Sequence, residues 1–468
     1  MFSDGRFFAK NAAAPDFALV FPHCIKYNIR YFIERVTAMK TYQQLTKKER
    51  RAELERQTEL YRHEQAQGYR LDMTRGKPDA TQLNLSMDML QQNPYDLIYS
   101  RKGTDVRNYG ELAGVDEAKE LFAELLGLKM ENIIMGGQSS LALMYDMMIK
   151  AIVLGVYKGS KPWGQQGPLK FLCPAPGYDR HFRITQEFGM EMITIPMTPD
   201  GPDMELVRKY AESDPSVKGI WCVPKYSNPQ GYTYSPETVE AFAALKPAAD
   251  DFRIFWDNAY FVHGFRETDD YLENIFDACK KYGSEDMVYE FMSTSKVTFS
   301  GAGVAVFAAS KGNIEFLTKQ MGVQTLGYDK INQLRHVRYF KSVDGLKRHM
   351  RKQADYLRPK FDVALAGLQS GLGGLGVGEW TNPNGGYFIS YEGLSGTAKR
   401  CVELCADAGV KLTAAGSVYP YGIDPEDKNI RIAPSYPSTE QLYQSINVFC
   451  ICQKIAALEA LDKAEENG

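Results

Sequence analysis

From about residue 130 the chain alternates short apolar runs, rich in β-branched and aromatic residues, with longer stretches of helical periodicity. The runs fall at 132–135, 169–173, 190–196, 218–223, 252–256, 287–292 and 302–308. Runs that are apolar throughout belong to strands buried on both faces, so the pattern predicts an α/β fold with one central, seven-stranded, mostly parallel sheet. In such sheets ligands gather beyond the carboxyl ends of the strands. The polar residues accumulate at those ends: Gly137-Gln138-Ser139-Ser140, Pro176-Gly177-Tyr178, Ser227-Asn228-Pro229, Asp257-Asn258-Ala259-Tyr260 and Ser293-Thr294-Ser295-Lys296. Five strand ends are therefore expected to converge on one site.

The pattern changes after about residue 340, to a long basic helix over 342–364, a Gly-rich turn at 371–378 and short strands around 386–390 and 429–432. This predicts a smaller α+β domain. The expected division is an N-terminal extension (1–40), a helical segment joining the small domain (41–75, with its helix over 46–66), a large domain (76–340) and the C-terminal small domain (341–468). No Lys-Ser/Thr pair follows the Gly-rich turn, so it is not a phosphate loop. Residues 1–70 carry 13 Lys and Arg against 8 Asp and Glu, a surplus that a solvated helix face explains better than a nucleic-acid arm.

Composition narrows the function classes. With 44% hydrophobic and 24% charged residues the chain is ordinary globular protein, and 55 basic against 58 acidic residues leave a net charge of −3. There is no overall basic field for nucleic acid, and small-molecule chemistry is the better starting point. The longest apolar stretch, 141–157, is broken by Asp146 and Lys150 and falls short of the roughly 20 residues that span a membrane. Eight cysteines without a C-x-x-C pair indicate a reducing, cytoplasmic setting. Cys401 with Cys405 and Cys450 with Cys452 lack a nearby His or further Cys, so no metal site is expected.

The strand-end residues have chemistry of their own. Asp257 follows an apolar run, where a semi-buried carboxylate needs a cationic partner such as a protonated heterocycle. Asn228 presents an amide before Pro229, and Tyr260 lies three residues beyond Asp257. Lys296, among hydroxyls and after a β run, is placed for the partial desolvation that favours Schiff-base chemistry. Singly, each has a plain reading as a helix cap, a turn former or a surface lysine. Their conjunction does not.

That conjunction resembles the class I/II aminotransferases, pyridoxal-phosphate (PLP) enzymes of fold type I, over nearly the whole chain from about residue 41. "STSK" at 293–296 is similar to the family's S-x-S-K, which implies Lys296 as the lysine bonded to the cofactor and Ser293 as a phosphate ligand. "SNPQG" at 227–231 and "DNAY" at 257–260 imply that Asp257 pairs with the ring nitrogen while Asn228 and Tyr260 bond the 3′-oxygen. "PGYDRH" at 176–181 implies Tyr178 as the stacking ring and His181 as support for Asp257. "NYGELAG" at 108–114 implies that Tyr109 reaches the phosphate in the other subunit of a homodimer. "RIAP" at 431–434 implies Arg431 as the clamp on the substrate α-carboxylate, with Gly76 and Asn228 beside it. Ser139 and Ser140, before a helix, join the phosphate ligands. "TRGKPD" at 74–79, "GTDVRNYGELAG" at 103–114 and "STSKVTFSGAGVA" at 293–305 are most similar to the aspartate aminotransferases of bacterial subgroup Ic.

The resemblance implies amino-group exchange between aspartate, or a similar acidic amino acid, and 2-oxoglutarate by a ping-pong mechanism. A PLP-dependent lyase (aspartate β-decarboxylase or C–S β-lyase) is the alternative on the same cofactor, and a non-catalytic PLP-binding regulator the alternative outside enzymes. A dicarboxylate needs a second cation, for which Lys330, Arg335 and Arg338 are candidates. The broader family carries a phosphate-binding arginine eight residues after the lysine, where this chain has Val304. Hydroxyls and amides, with Ser300 as a further donor, are expected to hold the phosphate instead.

Overall fold

The computed structural model describes residues 40–467. The expectations for 1–38 lie outside the described residues. In chain order the strands are β1 (Leu71–Asp72), β2 (Ile133–Met135), β3 (Lys170–Ala175), β4 (Glu191–Thr198), β5 (Gly201–Pro202), β6 (Val217–Cys222), β7 (Arg253–Asp257), β8 (Val288–Ser293), β9 (Ala305–Ala309), β10 (Gly378–Trp380), β11 (Ile389–Gly393), β12 (Val410–Lys411) and β13 (Asn429–Ile432).

All seven expected strands lie in one sheet, ordered β2-β9-β8-β7-β6-β3-β4-β5. The neighbours from β8 through β7, β6 and β3 to β4 pair in parallel, while β9 runs antiparallel to both β2 and β8. An eighth strand, the two-residue β5, turns back antiparallel onto β4. Its Gly201 has φ +131°, a conformation that side chains rarely adopt. Successive residues along the strands pack into different cores: Leu172, Ile220, Ile254 and Val306 into one, Phe171, Trp221, Phe255 and Phe307 into another. The two-residue alternation of a strand thus fills both faces, which is why each run reads as uninterruptedly apolar. Between β3 and β6 the order of connection reverses, and that crevice is where a ligand meets strand ends and loop amides together.

A further core unites the two ends of the described chain. It contains Leu71, Phe361, Leu368, Ile389, Tyr391, Ile430 and Phe449. The antiparallel sheet β10-β11-β13, the parallel pair β1-β12 and the helices Lys47–Gln65, Val343–Leu372, Ala398–Asp407 and Thr439–Asn467 surround it. Helix Lys47–Gln65 starts at a capping box in which Glu49 N donates to Thr46 Oγ1 at 3.3 Å and Thr46 N to Glu49 Oε2 at 2.7 Å. The helix expected to end at 364 continues to Leu372 because Ala364, Leu368 and Leu372 keep its apolar face buried. β10 begins at the end of the Gly-rich turn. Cys401, Cys405, Cys450 and Cys452 are all buried in this core, and among the described residues no group of His, Cys, Asp or Glu could hold a metal ion. No described helix is long and apolar enough to cross a membrane.

Candidate active site

Beyond the carboxyl ends of β3, β6 and β7 a cleft of about 240 Å³ opens, closed on its other sides by the segment 74–77, Phe388 and Arg431. Seven of the residues expected at the site line it: Gly76, Tyr178, Asn228, Asp257, Tyr260, Lys296 and Arg431.

Asp257 ends β7 and is 3% exposed. Its Oδ2 lies 3.1 Å from His181 Nε2, and its Oδ1 is buried without a hydrogen-bond partner. His181 stacks on Trp221 with ring centres 4.4 Å apart and planes 9° from parallel, and Trp221 Nε1 donates to Thr185 Oγ1 at 2.8 Å. The carboxylate is thereby held from behind while one oxygen is left for a cationic group arriving from the cleft. A buried carboxylate oxygen without a donor is costly, and a protonated ring nitrogen is the kind of group that removes the cost.

Lys296 follows β8 and is half-buried. Its Nζ stands 4.7 Å from the centre of the Tyr260 ring and has no hydrogen-bond or ion-pair partner among the described residues. Its main chain, by contrast, is pinned: the carbonyl accepts from Tyr387 Oη at 3.3 Å and lies 3.4 Å from His263 Nε2. Burial, and then the charge of Lys296, push His263 down to about 3, so this imidazole is neutral. Burial pushes Tyr178 up to about 12 and raises Tyr260 further, which keeps both phenols protonated as donors.

Arg431 projects from β13. Its Nη1 donates to Asn228 Oδ1 at 3.3 Å and lies 3.5 Å from Asp179 Oδ1, Nη2 donates to Thr413 Oγ1 at 3.2 Å, and buried Nε has no partner. The guanidinium carbon sits 4.7 Å from the centre of the Phe388 ring, a seat that suits a planar fork awaiting a carboxylate. Gly76 is the only residue type that fits above that ring, since a Cβ there would come within 2.0 Å of Phe388 Cζ. The segment bearing Gly76 is anchored by buried Lys360, whose Nζ donates to Asp79 Oδ2 at 2.6 Å and to Ser435 O at 2.8 Å.

The remaining expected residues lie around the cleft. Ser139 caps the helix Ser140–Leu154, accepting from Ala142 N at 3.3 Å, and Ser140 is buried in its first turn. Ser293 Oγ donates to Ser295 Oγ at 3.2 Å, which donates to Gln138 O at 2.9 Å, so the end of β8 is tied to the loop before that helix. Tyr109 is 78% exposed, away from the cleft. Val304 is buried in the core and its N–H donates to Thr294 Oγ1 at 2.8 Å. The hydroxyl expected from Ser300 is committed elsewhere, to Ser295 O at 2.8 Å. Lys330, Arg335 and Arg338 ride on the helix Lys330–Phe340 and do not line the cleft. Arg75, Lys77 and Arg180 do, although sequence reasoning gave them no role. Their signal was in plain view within "TRGKPD" and "PGYDRH".

One buried acid supports the site from beneath. Asn258, between Asp257 and Tyr260 in the chain, donates its Nδ2 to Glu290 Oε1 at 2.7 Å and its N–H to Phe291 O at 2.8 Å. Burial pushes Glu290 up to about 7 from 4.5, against the lowering effect of the Asn258 bond. A raised carboxyl contributes its full stability below pH 4.5 and loses it as pH rises through 7, where the unfolded chain is ionised more readily than the folded one. The loss is about 3 kcal/mol. Glu290→Gln should therefore gain stability relative to the parent between pH 5 and pH 8 in urea unfolding. A difference that is the same at both pH values would refute the assignment.

The match to the aspartate aminotransferase family model runs over residues 45–465. A curated aspartate aminotransferase of Corynebacterium glutamicum is 43% identical over 392 residues, 83% of this chain and 90% of that protein. The crystal structure of an aspartate transaminase from the same species superposes with a TM-score of 0.87 at 39% identity, covering 90% of this chain and 99% of the other. At 18% identity, the α-aminoadipate aminotransferase of Thermus thermophilus, complexed with N-(5′-phosphopyridoxyl)-L-leucine, shares the fold with a TM-score of 0.66, covering 84% of this chain and 93% of that one. An uninterrupted family match of this length, over a cleft that gathers a lysine, a buried aspartate and an arginine at strand ends, places the chain in the aspartate aminotransferase family.

Proposed function

We propose that this aminotransferase uses PLP to exchange the amino group between aspartate, or a similar acidic amino acid, and 2-oxoglutarate. The observation that carries the reading is the buried, partnerless Oδ1 of Asp257 in the same cleft as the unpaired Nζ of Lys296. Lys296 would hold the cofactor covalently, Asp257 its ring nitrogen, Asn228 and Tyr260 its 3′-oxygen, and Tyr178 its ring face, with His181 behind Asp257. Ser293, Ser139, Ser140 and the N–H groups of the helix they open would hold its phosphate, joined by Tyr109 from the other subunit of a homodimer. When bound, PLP supplies an electron sink for the pair left at the substrate α-carbon as its proton departs.

The protein groups do the rest. Arg431 grips the α-carboxylate with its two-pronged fork and so orients the α-C–H bond. Nζ of Lys296, freed from its own bond to the cofactor, takes the α-proton and delivers it again, as a general base and then an acid. Asp257 keeps the ring-nitrogen proton in place throughout. The 2-oxo acid leaves, and the retained amino group passes to a second 2-oxo acid in the ping-pong half-reaction. The proposal includes cytoplasmic location and division of the chain into a large unit (76–340) and a small one (41–75 with 341–468), a division supported by the separate core that joins the two chain ends.

The test is a panel of amino donors with 2-oxoglutarate and purified protein, read by product analysis. Aspartate should yield oxaloacetate and glutamate. Pyruvate released without an amino acceptor would make the enzyme a lyase, and equal catalytic efficiency with aspartate and alanine would defeat the acidic-substrate reading.

A further inference from the structure

The cleft carries more positive charge than the α-carboxylate needs. Arg75, Lys77, Arg180, Lys296 and Arg431 line it against only two carboxylates, Asp179 and Asp257. Three of the cations are engaged or assigned. Arg431 meets Asn228, Thr413 and Asp179, Lys296 stands over Tyr260, and Lys77 Nζ lies 4.7 Å from the centre of the Tyr436 ring. Arg75 and Arg180 remain, both exposed and both without a hydrogen bond or ion pair among the described residues.

Neither position is explained by stability. Arg180 is the second residue of the helix Asp179–Glu187, where the helix dipole disfavours a cation. Arg75 lies one residue before Gly76, in the segment held down by the Asp79–Lys360 pair, so its backbone is anchored while its side chain is uncommitted. Two guanidinium groups, from separate parts of the chain, are thus delivered unpaired to a small cavity whose other end holds the α-carboxylate clamp.

We infer that Arg180, together with Arg75, binds the distal carboxylate of the acidic substrate and sets the preference for dicarboxylates over neutral amino acids. The inference rests on the aminotransferase reading above. It replaces the expectation that Lys330, Arg335 or Arg338 serves this purpose, since none of them lines the cleft. Chemically the assignment uses what arginine does best, a planar fork matched to a carboxylate in a partly desolvated place. Asp179, beside Arg180 in the chain and facing Arg431 at 3.5 Å, adds specificity by repelling a distal carboxylate that enters in the reversed orientation.

The experiment uses the holoenzyme of the parent, of Arg180→Gln, of Arg75→Gln and of the double variant. Single half-reactions with aspartate and with alanine are followed without acceptor, and succinate binding is measured by calorimetry. The ratio of efficiencies for aspartate over alanine should fall roughly 10- to 100-fold for each arginine, the worth of a hydrogen bond to a charged group, and succinate affinity should fall with it. Rates for aspartate and alanine that fall in parallel would overturn the inference. So would loss of cofactor on dialysis of Arg180→Gln with an unchanged ratio, because Arg180, which also borders the hollow at Ser139, would then be serving the phosphate. A collapse of the ratio only on replacing Lys330, Arg335 or Arg338 would move the distal site there. A parent enzyme that shows no preference for aspartate over alanine would bring down the acidic-substrate reading itself, and would do so before any variant is made.

Discussion

Replacing Lys296 with alanine should abolish transamination and remove the visible absorbance of bound cofactor. The amine is the only part of this residue free to act: the backbone on either side is fixed by Tyr387 and His263, and Nζ makes no hydrogen bond. Deleting it removes no structural bond, so the variant should unfold at nearly the parent temperature. Two catalytic contributions go at once. Covalent capture of the cofactor is lost, and a positioned proton-transfer group by itself contributes roughly 10²- to 10⁴-fold. The decisive measurement is borohydride reduction of the variant in the presence of PLP, followed by peptide mapping. If the cofactor is found on another lysine, Lys296 is not the attachment site.

The seven main strands were legible because burial on both faces leaves an unbroken apolar run, as in Ile254-Phe255-Trp256, where successive side chains enter different cores. β5 was not, because a two-residue strand has no period to read. The helix end at Leu372 was missed because residues 364, 368 and 372 each look unremarkable until they are seen to share one buried face. At the site, Asp257, Asn228, Tyr260 and Lys296 were legible because each directly follows an apolar run. Arg75 and Arg180 were not, because an unpaired cation is a property of three-dimensional neighbours. Many basic residues of this chain find a carboxylate far away in sequence, as Lys360 finds Asp79. Which ones do not is invisible along the chain. The same limit applies to Val304, where the sequence showed that a cation was absent but not that the position is buried in the core.

Asp257→Asn should slow the proton-transfer step by roughly 10²- to 10⁵-fold while leaving cofactor capture by Lys296 in place. The substitution keeps the shape of the side chain and can still face His181, whose own seat against Trp221 and Thr185 does not depend on Asp257. What it removes is the charge. A neutral amide oxygen accepts a hydrogen bond but does not hold a proton on a heterocyclic nitrogen against release, so the ring loses its pull on electrons from the α-carbon. Burial enlarges the effect: at 3% exposure, with Oδ1 shut away from other donors, solvent does not substitute for the missing carboxylate. The step is read in a single half-reaction with aspartate labelled by deuterium at the α-carbon, where the variant should show a larger isotope effect than the parent as proton abstraction comes to limit the rate. Turnover near that of the parent, or a rate loss without any change in isotope effect, would exclude this role for Asp257.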